Sequence, residues 1–234
     1  MIVLKFVINR EGPKVLFPWN YIGKGGEAKV YRKGDLAYKY YHLFKLNERL
    51  SLDEVQKLEK IMTKRILLPQ DTLYTILGKF KGYTTQYVKD LGLLHFMMLP
   101  TDLVIDEFNL LKEDNYILSQ EQIVISDLMP RSYQICNHSF NYGLYFIDPG
   151  KFYRDTQLSS DEVFLMNQSK IDDFLYFRVL SSYANQEIGR YYYDYAKLYQ
   201  IKQEAFYKGD SLMDFIASDI KEDNLSEYVK RKIL

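Results

Sequence analysis

Gly23, Gly25 and Gly26 stand close together in IGKGGEAKVYRKGDLAYK, residues 22–39, and Lys39 closes the run. Glycine has no Cβ, so bare backbone N–H groups here can approach an anion. Val30 and Ala37 add small apolar side chains on either side. Lys39 lies inside the apolar, aromatic stretch DLAYKYY, where an ammonium is costly unless it has a partner or a task. These parts suit the holding of phosphate: two antiparallel strands folded over a nucleotide's phosphates, with a lysine reaching in from the third strand. Taken alone, three glycines fit a plain β-hairpin turn better than a phosphate loop.

Two aspartates extend the chemistry. Asp127 in ISDLMPRSYQI and Asp148 in LYFIDPGKF each end an apolar, strand-like run. An unpaired carboxylate in low dielectric costs several kcal/mol, so burial by chance is disfavoured, although either could be a turn residue. A helix must lie between the lysine and these aspartates. Ser51-Leu-Asp-Glu54 forms a capping box, and Leu52, Val55, Leu58, Ile61, Met62 and Ile66 recur at helical spacing. Glu59 borders that stripe, where a carboxylate needs a cation, and Lys39 is the candidate. A solvated Glu59 is the alternative, and Glu54 is the fallback partner.

The run from Ile22 to Lys39 resembles the glycine-rich loop and strand-three lysine of the protein kinase superfamily. The pattern G-x-G-x-x-G-x-V falls on Gly23, Gly25, Ala28 and Val30, with Ala28 replacing the third glycine, and A-x-K falls on Ala37 and Lys39. GYTTQYVKDLG resembles the fifth strand and hinge, with Thr85 as gatekeeper and Gln86, Tyr87 and Val88 as hinge. Asp127 with Leu128 and Pro130 resembles the catalytic loop, and Asp148-Pro149-Gly150 resembles D-F-G. The resemblance implies ATP with Mg2+ (or Mn2+) in a cleft. Ile22, Gly23, Gly25, Gly26, Val30, Ala37, Thr85, Gln86 and Val88 would surround the nucleotide. Lys39 would reach the phosphates, fixed by Glu59. Asp127 would serve the acceptor hydroxyl, and Asp148 and Ser132 the metal. The family's helical aspartate that braces the catalytic loop falls at Asp172 and Asp173.

The departures are specific. Ile125-Ser126 replaces His-Arg, Met129 replaces a lysine, Ser132 replaces the metal-binding asparagine, and no A-P-E follows. The readings that result are an ATP-dependent phosphotransferase acting on a protein hydroxyl, a small-molecule kinase, and a pseudokinase that binds nucleotide or scaffolds without catalysis.

The implied fold is α+β and two-lobed, with an antiparallel-sheet lobe over residues 1–88 and a mainly helical lobe over 89–234. A chain of 234 residues can bury the core this needs. Thirty-one basic and thirty-one acidic residues give zero formal charge, which argues against nucleic acid as partner. The single cysteine, Cys136, excludes an internal disulfide and fits a reducing, cytoplasmic setting. MIVLKFVIN is too short to span a membrane and reads as a strand. The twenty-two tyrosines read as core and boundary side chains, and His42, His95 and His138 lack metal-ligand spacing. Asp210 is the expected cap of the helix SLMDFIASDI.

Overall fold

The computed structural model describes residues 5–42, 49–126, 133–138, 141–188, 195–220 and 224–233. Strands β1 (Lys5–Asn9), β2 (Gly12–Leu16), β3 (Tyr21–Lys24), β4 (Ala28–Lys33), β5 (Leu36–Tyr41), β6 (Asp71–Tyr74) and β7 (Phe80–Gln86) form one antiparallel sheet. Their order is β2-β1-β6-β7-β5-β4-β3. The chain thus leaves one edge at Leu16 and enters the opposite edge at Tyr21. Laid flat, seven strands would span about 29 Å at about 4.8 Å per neighbouring pair. Five residue steps reach at most about 18 Å. The sheet must therefore curl until its edges approach, with a single 3-10 turn, Pro18–Asn20, in the link.

Alternation sets the two faces. Leu36, Tyr38 and Tyr40 pack with Val7, Leu16, Tyr31 and Leu73 on one side. Tyr41 turns the other way into the main core, and Ala37 and Lys39 share that face of the sheet by the same period of two. Gly82 is obligatory where β7 meets β5. It sits opposite Tyr40 at φ +146°, and a Cβ there would lie 1.9 Å from the Lys39 carbonyl oxygen.

Helix α1 (Leu52–Leu58) follows the sheet's first five strands. Ser51 Oγ accepts from the Glu54 N–H at 3.2 Å, and Glu54 accepts from the Ser51 N–H at 2.6 Å, as the sequence pattern predicts. The helix stops at Leu58, short of the apolar stripe that runs on to Ile66. Asp114 explains the stop: its carboxylate accepts from the N–H groups of Lys64, Arg65 and Ile66 at 2.5 to 3.0 Å. Those N–H groups are thereby drawn to another element, and Ile66 bridges Phe146 instead.

The remainder is mostly helical: α2 (Leu93–Met97), α3 (Thr101–Gln120), α4 (Ser160–Phe174), α5 (Ser181–Ile188), α6 (Tyr195–Lys208), α7 (Leu212–Asp219) and α8 (Leu225–Ile233). A π-helical turn, Leu175–Leu180, joins α4 to α5. Val104, Phe108, Leu111 and Leu118 form the buried stripe of α3. Ser211, not Asp210, caps α7, accepting from the Asp214 N–H at 3.2 Å. Two small antiparallel pairs complete the fold: β8 (Ile123–Val124) with β11 (Tyr153–Arg154), and β9 (Tyr133–His138) with β10 (Asn141–Phe146). Arg65 ties the sheet side to α3 through a two-pronged bond to Glu107, which also accepts from the Leu144 N–H. Among the described residues no helix is long and apolar enough to cross a membrane.

Candidate functional site

The strand register assembles the site. Val30 lies opposite Lys39, which lies opposite Tyr83, so three strands place these side chains in one row. Ala37 pairs with Thr85 two residues on, the same face by the period of two. Beyond Gln86 the chain leaves the sheet, and buried Val88 packs with Leu67 and Tyr145. The β3–β4 hairpin turns at Gly25, whose N–H donates to the Ala28 carbonyl at 2.9 Å. From the other side, β10 ends at Phe146 and delivers Ile147 and Asp148.

A cleft of about 330 Å³ results. Ile22, Gly23, Lys24 and Gly25 cover it, with Val30, Ala37, Lys39, Tyr83 and Thr85 on the sheet wall. Gln86, Tyr87 and Val88 line one end and Ile147 and Asp148 the opposite side. Nine of the ten residues expected around a nucleotide, and the expected metal carboxylate, line this one cavity. Gly26 stands exposed at the hairpin tip, off the cavity wall. Tyr87, expected with Gln86 and Val88 as hinge, lines the cavity too, whereas Lys24, Tyr83 and Ile147 were not foreseen; Tyr83 could have been found by stepping two residues back from Thr85.

Lys39 is the electrostatic centre. Its side chain is only 12% exposed, and Nζ donates to Asp148 Oδ1 at 2.6 Å and to Glu27 Oε1. Burial alone would push the ammonium down, but Asp148 and then Glu27 outweigh it and hold Lys39 above its ordinary value. Burial pushes the Glu27 carboxyl up, against the attraction of Lys39. One ammonium thus faces two carboxylates, with Lys151 contributing a more distant positive charge. Gly150 is packed against this cluster, and its N–H donates to Asp148 Oδ1 at 3.2 Å. A Cβ on Gly150 would lie 2.5 Å from Glu27 Oε1, 2.8 Å from Lys39 Nζ and 3.0 Å from Asp148 Oδ1.

The expected Lys39–Glu59 pair is not formed. Because α1 ends at Leu58, Glu59 is its C-cap, and its carboxylate goes to Arg10 at 3.2 Å and to the Thr72 hydroxyl at 2.6 Å. Glu54 is committed to the capping box. Glu27 takes the lysine instead.

Asp127 and Ser132 lie outside the described residues, but what leads into Asp127 is described. Asn167, buried on α4, accepts from the Ile125 N–H at 2.7 Å and donates to the Ile123 carbonyl at 2.9 Å. Ser126 donates to the Lys151 carbonyl, tying this segment to the one that carries Asp148. Asn167 thus holds the strand that leads toward Asp127, and the described bonds of Asp172 and Asp173 go elsewhere. Asp172 accepts from Gln168 at 3.0 Å, and Asp173 pairs with Lys202. Among the described residues no group of three or more His, Cys, Asp or Glu could by itself enclose a metal. No protein-family model matches the chain, and no curated protein matches it either.

Proposed function

We propose that the cleft binds ATP with a divalent cation and that the chain transfers the terminal phosphoryl group to a hydroxyl, in the manner of a compact, two-lobed kinase-like protein. The observation that carries this reading is the meeting of Lys39 and Asp148 at 2.6 Å beneath a glycine-bearing hairpin, inside a cavity of about 330 Å³.

The donor set fits the cofactor. Asp148 is 49% exposed at the cavity wall, and a carboxylate is the hard oxygen ligand that Mg2+ and Mn2+ prefer. Two described carboxylates sharing one lysine, Asp148 and Glu27, do not make a protein cage, which suits a cation that takes its remaining ligands from phosphate oxygens and water. Asp148 would hold it, with Ser132 as the family resemblance implies. A bound cation supplies neutralisation of charge on the terminal phosphates.

The chain's own groups do the rest. Gly23 and Gly25 carry no side chains, so phosphate oxygens could approach the hairpin backbone closely. Lys39 would offer its ammonium to phosphate oxygens while Asp148 would hold the cation. Thr85 and the Gln86–Val88 backbone suit an adenine edge, with apolar Val30, Ala37 and Ile147 about it. Asp127 would orient the acceptor hydroxyl and take its proton late in a loose transition state.

A second reading, a nucleotide-binding module without catalysis, is favoured by the commitment of Glu59 to Arg10 and Thr72. One comparison separates the two. Mg-ATP raises the melting temperature of the wild type, because a ligand that binds only the native state stabilises it. Asp148→Asn loses most of that rise, whereas Asp127→Asn keeps it and abolishes transfer of label from terminally labelled ATP. No stabilisation at millimolar ATP with either metal would overturn nucleotide binding. Equal background label transfer by wild type and Asp127→Asn, with binding intact, would leave the non-catalytic module.

A further inference from the structure

We propose that Glu27, carried by the glycine-bearing hairpin itself, is the positioning residue that orients Lys39 toward phosphate, so that one hairpin both covers the phosphates and aims the lysine. This rests on the nucleotide reading above and adds a residue to it.

A lysine has four rotatable side-chain bonds, and fixing its ammonium over a phosphate requires an anchor. Asp148 cannot supply it while serving a cation. Glu59 is held by Arg10 and Thr72. Glu27 already bonds Lys39 Nζ and is 15% exposed, so water competes weakly for it. Its second oxygen, Oε2, is buried and has no hydrogen-bond partner among the described residues. That carboxylate is therefore held in place by the lysine rather than by its own surroundings.

The backbone fixes where the carboxylate can go. The Glu27 carbonyl accepts from the His42 N–H at 2.8 Å, one residue beyond β5. The next residue, Ala28, is buried in the main core and pairs with Tyr41. Glu27 is thus pinned to the strand that carries Lys39, while Gly23 and Gly25 on the same hairpin stay free of side chains above the cleft. Gly150 leaves room for the pair, since a Cβ there would fall on Glu27 Oε1. With Asp148 given to a cation, Glu27 and Lys39 would form a neutral pair with ammonium hydrogens left for phosphate oxygens.

The test compares the full chain with Glu27→Gln, Glu27→Asp and Glu59→Gln. Turnover is read against Mg-ATP concentration. The rate of Lys39 acylation at neutral pH, without nucleotide, is read by mass spectrometry. Glu27→Gln is expected to lose about ten-fold or more in kcat with KM changed less than about three-fold. Glu27→Asp keeps the charge and recovers part of the loss. Lys39 acylates faster in Glu27→Gln and at the wild-type rate in Glu59→Gln. Wild-type or faster turnover in Glu27→Gln overturns the proposal and marks Glu27 as a side chain that merely occupies the phosphate's place. Unchanged acylation overturns it as well. A wild type that Mg-ATP neither stabilises nor engages in turnover overturns the nucleotide reading and this one together; faster acylation in Glu27→Gln then shows that the ion pair itself was correctly assigned.

Discussion

At Gly150 three charged side-chain ends occupy the space where a side chain would grow. Gly150→Ala is expected to lower Mg-ATP affinity by about ten-fold, since the cluster must spread to admit a methyl group. Its melting temperature without ligand should move little, and calorimetry against thermal unfolding separates the two effects. Glu59→Gln should behave in the opposite way. It weakens the bonds to Arg10 and Thr72, costs about 1 kcal/mol of stability in denaturant unfolding, and leaves the stabilisation by Mg-ATP intact. At this scale the glycines, Lys39, the Thr85–Val88 stretch and Asp148 were legible, because each is a residue type out of keeping with its neighbours or part of a recognisable pattern. Glu27 was not. It sits in the turn between β3 and β4, where the alternation that sorts strand side chains into faces does not apply.

Among the elements, the β3–β4–β5 order and the β9–β10 hairpin follow from alternation and turn residues within short windows. The end of α1 does not. Apolar residues continue at helical spacing past Leu58, and the chain is diverted by Asp114, about fifty residues away in sequence, which no local pattern reveals. The same distance hid Asn167. Asn167→Ala would leave the buried Ile125 N–H and one bond of the Ile123 carbonyl unmet, a cost of about 2 kcal/mol. Because those residues lead into Asp127, label transfer should fall further than ATP affinity, as paired kinetic and binding titrations would reveal. Gly82→Ala tests the sheet. A side chain pressed on the Lys39 carbonyl must shift β7 from β5, so a loss of about 2 kcal/mol or more is expected in chemical unfolding.

For the molecule as a whole, pH reads the packing of α4. Burial pushes the Asp172 carboxyl up to about 6, against the lowering effect of its Gln168 bond. The native state therefore holds this proton more tightly than the unfolded chain does. Stability from this group is full at pH below its ordinary value of 3.8, falls as pH rises toward about 6, and is flat above that. Asp172→Asn should remove this slope, as unfolding free energies measured across that window will report. The curl of the sheet has a different consequence. Residues 17–20 act as a short strap between the two edges, and β1 covers the backbone of β6. Removing residues 1–16 would uncover β6 as a free edge with unpaired N–H and C=O groups. Such an edge templates pairing with another chain. The shortened protein is therefore expected to self-associate through that strand, so that the N-terminal hairpin keeps neighbouring molecules apart as well as closing the sheet.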